Sequence, residues 1–426
     1  MSFNFTDHLN EEQLKIVKAD DRISLVFAGA GTGKTRTLLY RILYLILKNN
    51  PKNHNFFITT FTNKAADEIK KRIAQVTGKG TYFPYLGTFH SLAARILRKY
   101  HEYTPFTRDF TIFDSRESER IIKGELDKDF LKEFKPQVLL KKFSVFKENH
   151  RETGEELEPQ FKKPFEKYTK ALERMNGMDF SDLLCKLIDL FENNEKVLTE
   201  FTKSLKYVFV DEFQDTNLAQ YRIIKLLHRG LSENCNDFSI MVVGDENQSI
   251  YGFRNANIDN ILHFPKDFPN VAIHTLSTNY RSTVNILRAA RPLAYENPYK
   301  TDELRAANEE NLGNRASYKV FQSDRDEAEF IINEIEKLNQ SGVNFGDIAV
   351  FFRTNNQVRM LESTFRDHSI PYVVVGAQKF YERKEIRDSL SYLKILENPR
   401  DSINLSRAVN TPKRGIGKKT LNSILN

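Results

Sequence analysis

Five short runs of β-branched and aromatic residues recur along the chain: ISLVF (23–27), FFITTF (56–61), YVFV (207–210), SIMVV (239–243) and VAIHTL (271–276). Apolar runs of this length, flanked by polar residues, predict strands buried on both faces. Helix-periodic stretches lie between several of them, which predicts an α/β architecture with a parallel sheet covered on two sides. From 87 to 204 the pattern turns charged, rich in Lys, Glu and Phe, and helix-periodic, as in RILRKYHEYTPF and KKFSVFKENHRETGEELEPQFKKPFEKYTKALERM. That stretch predicts a helical insertion within the first sheet domain. A second strand-and-helix series follows residue 275, with expected strands ASYKVF (316–321), IAVFFRT (348–354) and YVVVG (372–376) and an expected helix over 326–340. Beyond about 378 the pattern is helical again, and no solenoid-length repeat interrupts the chain.

A chain of 426 residues is long enough for two to four domains. Its net charge of +7 permits a nucleic-acid partner without requiring one. Two cysteines, Cys185 and Cys235, exclude a disulfide framework and a four-cysteine metal site. The opening MSFNFTDHLNEEQ lacks the basic-then-apolar pattern of a signal peptide, and no apolar run approaches the roughly 18 residues of a membrane span. The chain is therefore expected to be cytoplasmic, with no membrane partner.

The first apolar run feeds Ala28-Gly29-Ala30-Gly31-Thr32-Gly33-Lys34-Thr35. A phosphate-binding loop carries glycine in its first place, where this chain has Ala28; the remainder fits. Glycines at 29, 31 and 33 let successive N–H groups converge on one anion at the start of a helix. Lys34 would reach the outer phosphates and Thr35 a magnesium ion. The loop thus predicts a nucleoside triphosphate with Mg²⁺. Hydrolysis also needs a metal-side acid and a group that orients water, and VDEFQDT supplies both at the end of a buried strand. Asp211 would hold the metal and Glu212 would activate the water. NKAAD (63–67) superficially suggests a guanine-reading N-K-x-D, but Asp67 stands one place too far, and a GTPase reading is rejected.

Taken in order, AGAGTGKT, TTFTNKAADEI, GTFHSLAARIL, VDEFQDTN, VVGDENQSIYGFRNA and LSTNYRS resemble the motifs of superfamily 1 DNA helicases of the UvrD/Rep/PcrA type. IPYVVVGAQKFYERKEIRD and NTPKRGIGKKTL extend the resemblance to the end of the chain. It implies a RecA-like ATP-binding domain (1–86 and 205–274) with a helical insertion (87–204). An incomplete second RecA-like domain (275–377) and the start of a second helical insertion (378–426) follow. It implies an ATP-dependent DNA helicase or translocase of repair or replication type, moving 3′-to-5′ on single-stranded DNA and acting at duplex junctions. Repair or replication proteins would be its partners. Gln13 is expected to read adenine, Arg36 to lie near the nucleotide, and Gln248 to sense the outer phosphate. Tyr280 is expected to stack on the base, and Arg281 to act as an arginine finger from the neighbouring lobe. Phe61 and Phe253 would stack on DNA bases, Phe253 standing where the family usually has tryptophan, and Tyr251 would lie close by on the DNA path. Thr62, Asn63, Thr88, His90 and Arg254 would line the strand.

The family's later motifs, a TIHxAKGLE-like segment and a final arginine motif, are not found in the sequence. The resemblance is accordingly expected to cover only the N-terminal portion of such a protein, with the C-terminal part absent and little unwinding by this chain alone. Two alternatives remain: a helicase subunit of a helicase–nuclease, and a non-catalytic ATP- and DNA-binding module.

Overall fold

The computed structural model describes residues 4–77, 82–235, 237–252, 255–297, 303–375, 384–417, 420 and 423. Six parallel strands make the main sheet: β1 (Ile23–Ala28), β2 (Phe56–Thr59), β3 (Leu86–Gly87), β4 (Tyr207–Val210), β5 (Ser239–Gly244) and β6 (Ala272–Leu276). Their spatial order is β3-β2-β4-β5-β1-β6. In register, Leu25 lies opposite Val242 on one side and Ile273 on the other.

The alternation of side chains along each strand divides the core in two. Leu25, Phe57, Val208, Val210, Ile240 and Val242 face one hydrophobic cluster, completed by helices such as Phe180–Asn193 and Leu218–Asn234. Val26, Phe56, Ile58, Phe209, Met241 and Val243 face the other. That second face is covered by α1 (Glu11–Lys18), α2 (Lys34–Asn49) and α3 (Asn63–Thr77). Burial on both faces is why β1, β2, β4 and β5 read as continuous apolar runs rather than alternating ones. The edge strand β6 is only partly covered, and its Ile273 is 55% exposed.

The interval expected to be a helical insertion does contain helices, including Ser115–Glu125, Pro136–Thr153 and Pro159–Arg174, around a core of Phe113, Phe143 and Tyr168. A buried ion triad ties it together: Lys147 lies 2.8 Å from Asp179 and 2.7 Å from Asp182. Later helical sequence packs here too. Lys394 pairs with Glu117 at 2.9 Å, and Asn398 donates to the Thr111 hydroxyl and the Asn176 carbonyl.

The chain divides into two compact units, Met1–Gly313 with Asp388–Asn426, and Asn314–Arg387. In the smaller one, helices Asp324–Gln340 and Asn355–Asp367 pack around Ile332, Ile335, Phe365 and Ile370. The strands expected at 316–321, 348–354 and 372–376 form no ladder among the described residues. Tyr318, Phe351 and Val373 are about nine-tenths exposed there. Alternating apolar residues favour extended backbone, but a strand exists only when a neighbour accepts its hydrogen bonds.

Candidate nucleotide-binding site

Because all six strands are parallel, their C-terminal ends open on one edge of the sheet, the edge where α/β folds collect ligands. The glycine-rich loop leaves β1 there, Phe61 follows β2, Thr88 follows β3, Asp211 follows β4, Gln248 follows β5 and Arg281 follows β6.

Gly31 and Gly33 have φ of +72° and +88°, which a side chain would strain. Gly33 also serves as the cap of α2 and provides no side-chain acceptor, so the first-turn N–H groups are left to a ligand. The Lys34 ammonium is buried 3.3 Å from Glu212 Oε2, yet makes no hydrogen bond in satisfactory geometry. A buried cation at an uncapped helix start is the arrangement that an anion completes.

The Thr35 hydroxyl donates to Asp211 at 2.9 Å. Burial, reinforced by the neighbouring Glu212, pushes the Asp211 carboxyl up to about 6. Burial and Glu212 likewise push Asp215 up to about 7, and one of its oxygens has no partner. Thr35 and Asp211 together form a hard oxygen pair able to receive a divalent cation. Glu212 is held in the left-handed region at φ 51°, a conformation that costs about 1–3 kcal/mol and clusters at functional sites. Its carboxylate accepts from the Gln214 amide at 2.8 Å, and Gln214 in turn accepts from the Asp245 N–H at 2.9 Å. The Gln248 amide donates to Asp245, whose carboxyl burial raises.

A cavity of about 310 Å³ lies at the centre of this arrangement. Gly31, Gly33, Lys34, Thr35 and Arg36 line it from the loop and helix, Glu212 and Gln248 from two strand ends, and Tyr280 and Arg281 from the segment after β6. Every one of these is a candidate from sequence. Ala28 is buried at the end of β1 and does not line the cavity. Within the loop, the Thr32 hydroxyl bonds to Gly29 O, and Ala30 O accepts from Asn279. Gln13 is buried, and its amide is engaged within the protein. It donates to Thr32 O at 2.9 Å and accepts from Asn10 N at 3.3 Å in a capping box. Arg36 donates to His8 O and lies over the Tyr40 ring.

Of the residues assigned to the DNA path, Phe61, Thr62, Asn63, Thr88, His90 and Tyr251 follow the ends of β2, β3 and β5. The Phe61 and Tyr251 rings are 4.6 Å apart. Thr62 accepts from the Ala65 N–H, Asn63 begins α3, and Thr88 caps helix Phe89–Lys99. The His90 ring packs edge-on against Phe180, and burial pushes its pKa down to about 4. Phe253 and Arg254 lie outside the described residues. Sequence reading passed over Phe180, which is half exposed beside His90, and over Gln214, Asp245 and Asn279. The signal for Phe180 was available in GMDFSDLL; the other three reveal themselves only through their partners.

Comparison with known proteins agrees with this geometry. A family model described as UvrD/REP helicase N-terminal domain matches residues 9–269. A second, the UvrD-like helicase C-terminal domain, matches residues 274–426. The expectation that the C-terminal part of the family is absent is therefore wrong: the short motifs used to look for it are not the whole of that domain. The chain is 39% identical over 430 residues to the ATP-dependent DNA helicase PcrA of Staphylococcus aureus, covering 99% of this chain and 58% of the relative. It is 39% identical over 428 residues to the protein of the same name from Staphylococcus epidermidis, covering 98% and 58%. The chain thus spans somewhat over half the length of these relatives. With the N-terminal model alone accounting for more than half of its residues, this protein belongs to the UvrD/REP helicase family.

Proposed function

We propose that this chain binds ATP with Mg²⁺, hydrolyses it, and couples turnover to movement along single-stranded DNA. The observation that carries the reading is the 310 Å³ cavity, in which a buried lysine ammonium, ion-paired with a strained glutamate but without a hydrogen bond, lies at an uncapped helix start. Lys34 and the loop N–H groups neutralise the triphosphate, and Thr35 with Asp211 would hold the metal. A magnesium ion held there would supply positive charge against the charge developing on the phosphate. Glu212 orients the attacking water and takes its proton, while Gln214 fixes the carboxylate. Arg281 and Tyr280 approach the same space from the segment after β6, as a finger and a stacking face.

Coupling to DNA follows from chain connectivity. Gln248 lines the cavity, and three residues later Tyr251 meets Phe61, the ring assigned to base stacking. Thr62, Asn63, Thr88, His90, Phe253 and Arg254 are assigned to the strand path. His90 takes part as a neutral ring, given its burial. The domain division read from the sequence (1–86 with 205–274, 87–204, 275–377 and 378–426) belongs to the same proposal. So do the 3′-to-5′ direction, duplex junctions as substrate and a cytoplasmic location. For location, the relevant structural fact is that no helix among the described residues is long and apolar enough to cross a membrane.

Lys34→Ala tests the loop. It should weaken ATP binding by at least about tenfold, as expected on losing a charge-assisted phosphate contact. Equilibrium titration with a fluorescent ATP analogue measures this; unchanged affinity would remove the assignment.

A further inference from the structure

The segment that carries Tyr280 and Arg281 is bonded to the phosphate loop and to α1. Tyr280 N–H donates to Gly31 O at 2.9 Å, and Asn279 bridges from Ala30 O to the N–H groups of Arg281 and Ser282. The approach is close enough that a Cβ on Gly31 would lie 2.6 Å from Arg281 Cβ. The other anchor is α1. Glu12 Oε1 accepts from the Ser277 hydroxyl at 2.6 Å, and Oε2 accepts from the Ser277 and Thr278 N–H groups at 3.1 and 3.4 Å. Asn10 donates to the Tyr280 hydroxyl at 2.7 Å. The same helical turn holds the phosphate loop through Gln13 and Thr32.

We propose that Glu12 is a positioning residue for Arg281: by gripping Ser277 and Thr278 it fixes the finger segment to the helix that also braces the phosphate loop. The inference rests on the ATPase reading above. A carboxylate suits the task because every partner is a donor. Burial alone would favour the neutral acid, but the bonds from Ser277 and Thr278 outweigh it and hold the Glu12 carboxyl below its ordinary range. The grip joins residues 265 positions apart, and Arg281, itself exposed, is otherwise placed by Asn279, by the bonds of Tyr280 to Gly31 O and Asn10, and by the short ladder between Thr278–Asn279 and Arg305–Ala306. Misplacing a catalytic group by about 1 Å costs on the order of 100-fold in rate, so a loosened anchor acts on turnover more than on binding.

The test compares Glu12→Ala, Glu12→Gln, Ser277→Ala, Arg281→Ala and the Glu12→Ala/Arg281→Ala double variant, using Mg-ATP and oligothymidylate. Amide exchange over 277–282 without nucleotide should accelerate in Glu12→Ala and in Ser277→Ala. The turnover number should fall about 10- to 100-fold in Glu12→Ala with KM for ATP changed less than about threefold. Glu12→Gln, which keeps one acceptor for the two N–H groups, should recover most of the rate. In the Arg281→Ala background Glu12→Ala should add nothing, since a positioning residue has no effect once its client is gone. Independent, multiplicative losses in the double variant, or unchanged exchange in Glu12→Ala, would overturn the proposal. If Glu12→Ala fails to fold, Ser277→Ala decides the same question from the other side of the bond. Absence of ATP turnover in the unmodified chain would instead overturn the ATPase reading, and the exchange measurement would still report whether Glu12 grips the segment.

Discussion

At the scale of single residues, the site combines groups held in conditions that water would not impose. Lys34 is buried without a hydrogen bond, Glu212 stands at positive φ, and Asp211 and Asp215 are pushed well above the usual carboxylate range. Such departures concentrate where a ligand or a transition state restores the balance. His90 is a different case, since burial holds it neutral. Its folded pKa, about 4, lies below the ordinary value of 6.5, so the unfolded chain binds more protons between those limits. The stability that neutral His90 contributes is therefore present above about 6.5 and lost as pH falls toward 4. NMR titration of the His90 ring should give a midpoint near 4; a midpoint at 6.5 would show the ring to be solvated. Lys34, Asp211 and Glu212 were legible as candidates because their neighbours in sequence mark them. Glu12, Gln214 and Asn279 were not, because each acts through a partner that only the fold brings near.

At the scale of elements, the sheet was legible where strands are sealed on both faces. YVFV and SIMVV admit few readings, since four or more apolar residues in a row with β-branched character suit a covered parallel strand. Two-residue β3 (Leu86–Gly87) is too short to leave a pattern, and it exists because β2 offers it an edge. The reverse holds at 316–321 and 348–354, where the pattern is strong but no neighbouring strand is present among the described residues. Phe209, fully buried at the centre of β4, gives a direct check on this division of the core. Phe209→Ala should destabilise the chain by about 3–5 kcal/mol in denaturant unfolding, the range for an aromatic removed from a close-packed interior. A loss under about 1 kcal/mol would mean that the cluster on that face is not packed as described.

At the scale of the whole molecule, parallel topology turns a linear series of motifs into a single edge. Six strand ends deliver the glycine-rich loop, Phe61, Thr88, the Asp211–Glu212 pair, Gln248 with Tyr251, and Arg281 to one edge of the sheet. Residues separated by hundreds of positions thereby come to surround one cavity, and membership of the UvrD/REP helicase family agrees with that convergence. Single-stranded DNA as partner, and the sense of movement along it, belong to the proposed function and not to the geometry. The central claim is narrower: Glu212 activates water beside a triphosphate held by Lys34. Single-turnover ATP hydrolysis by Glu212→Gln, measured beside its ATP affinity, tests that claim most directly. The rate should fall by at least about 100-fold while affinity stays within about threefold, the pattern of a group acting only in the transition state. Hydrolysis at the unmodified rate by the Glu212→Gln variant, with ATP bound, would contradict the account.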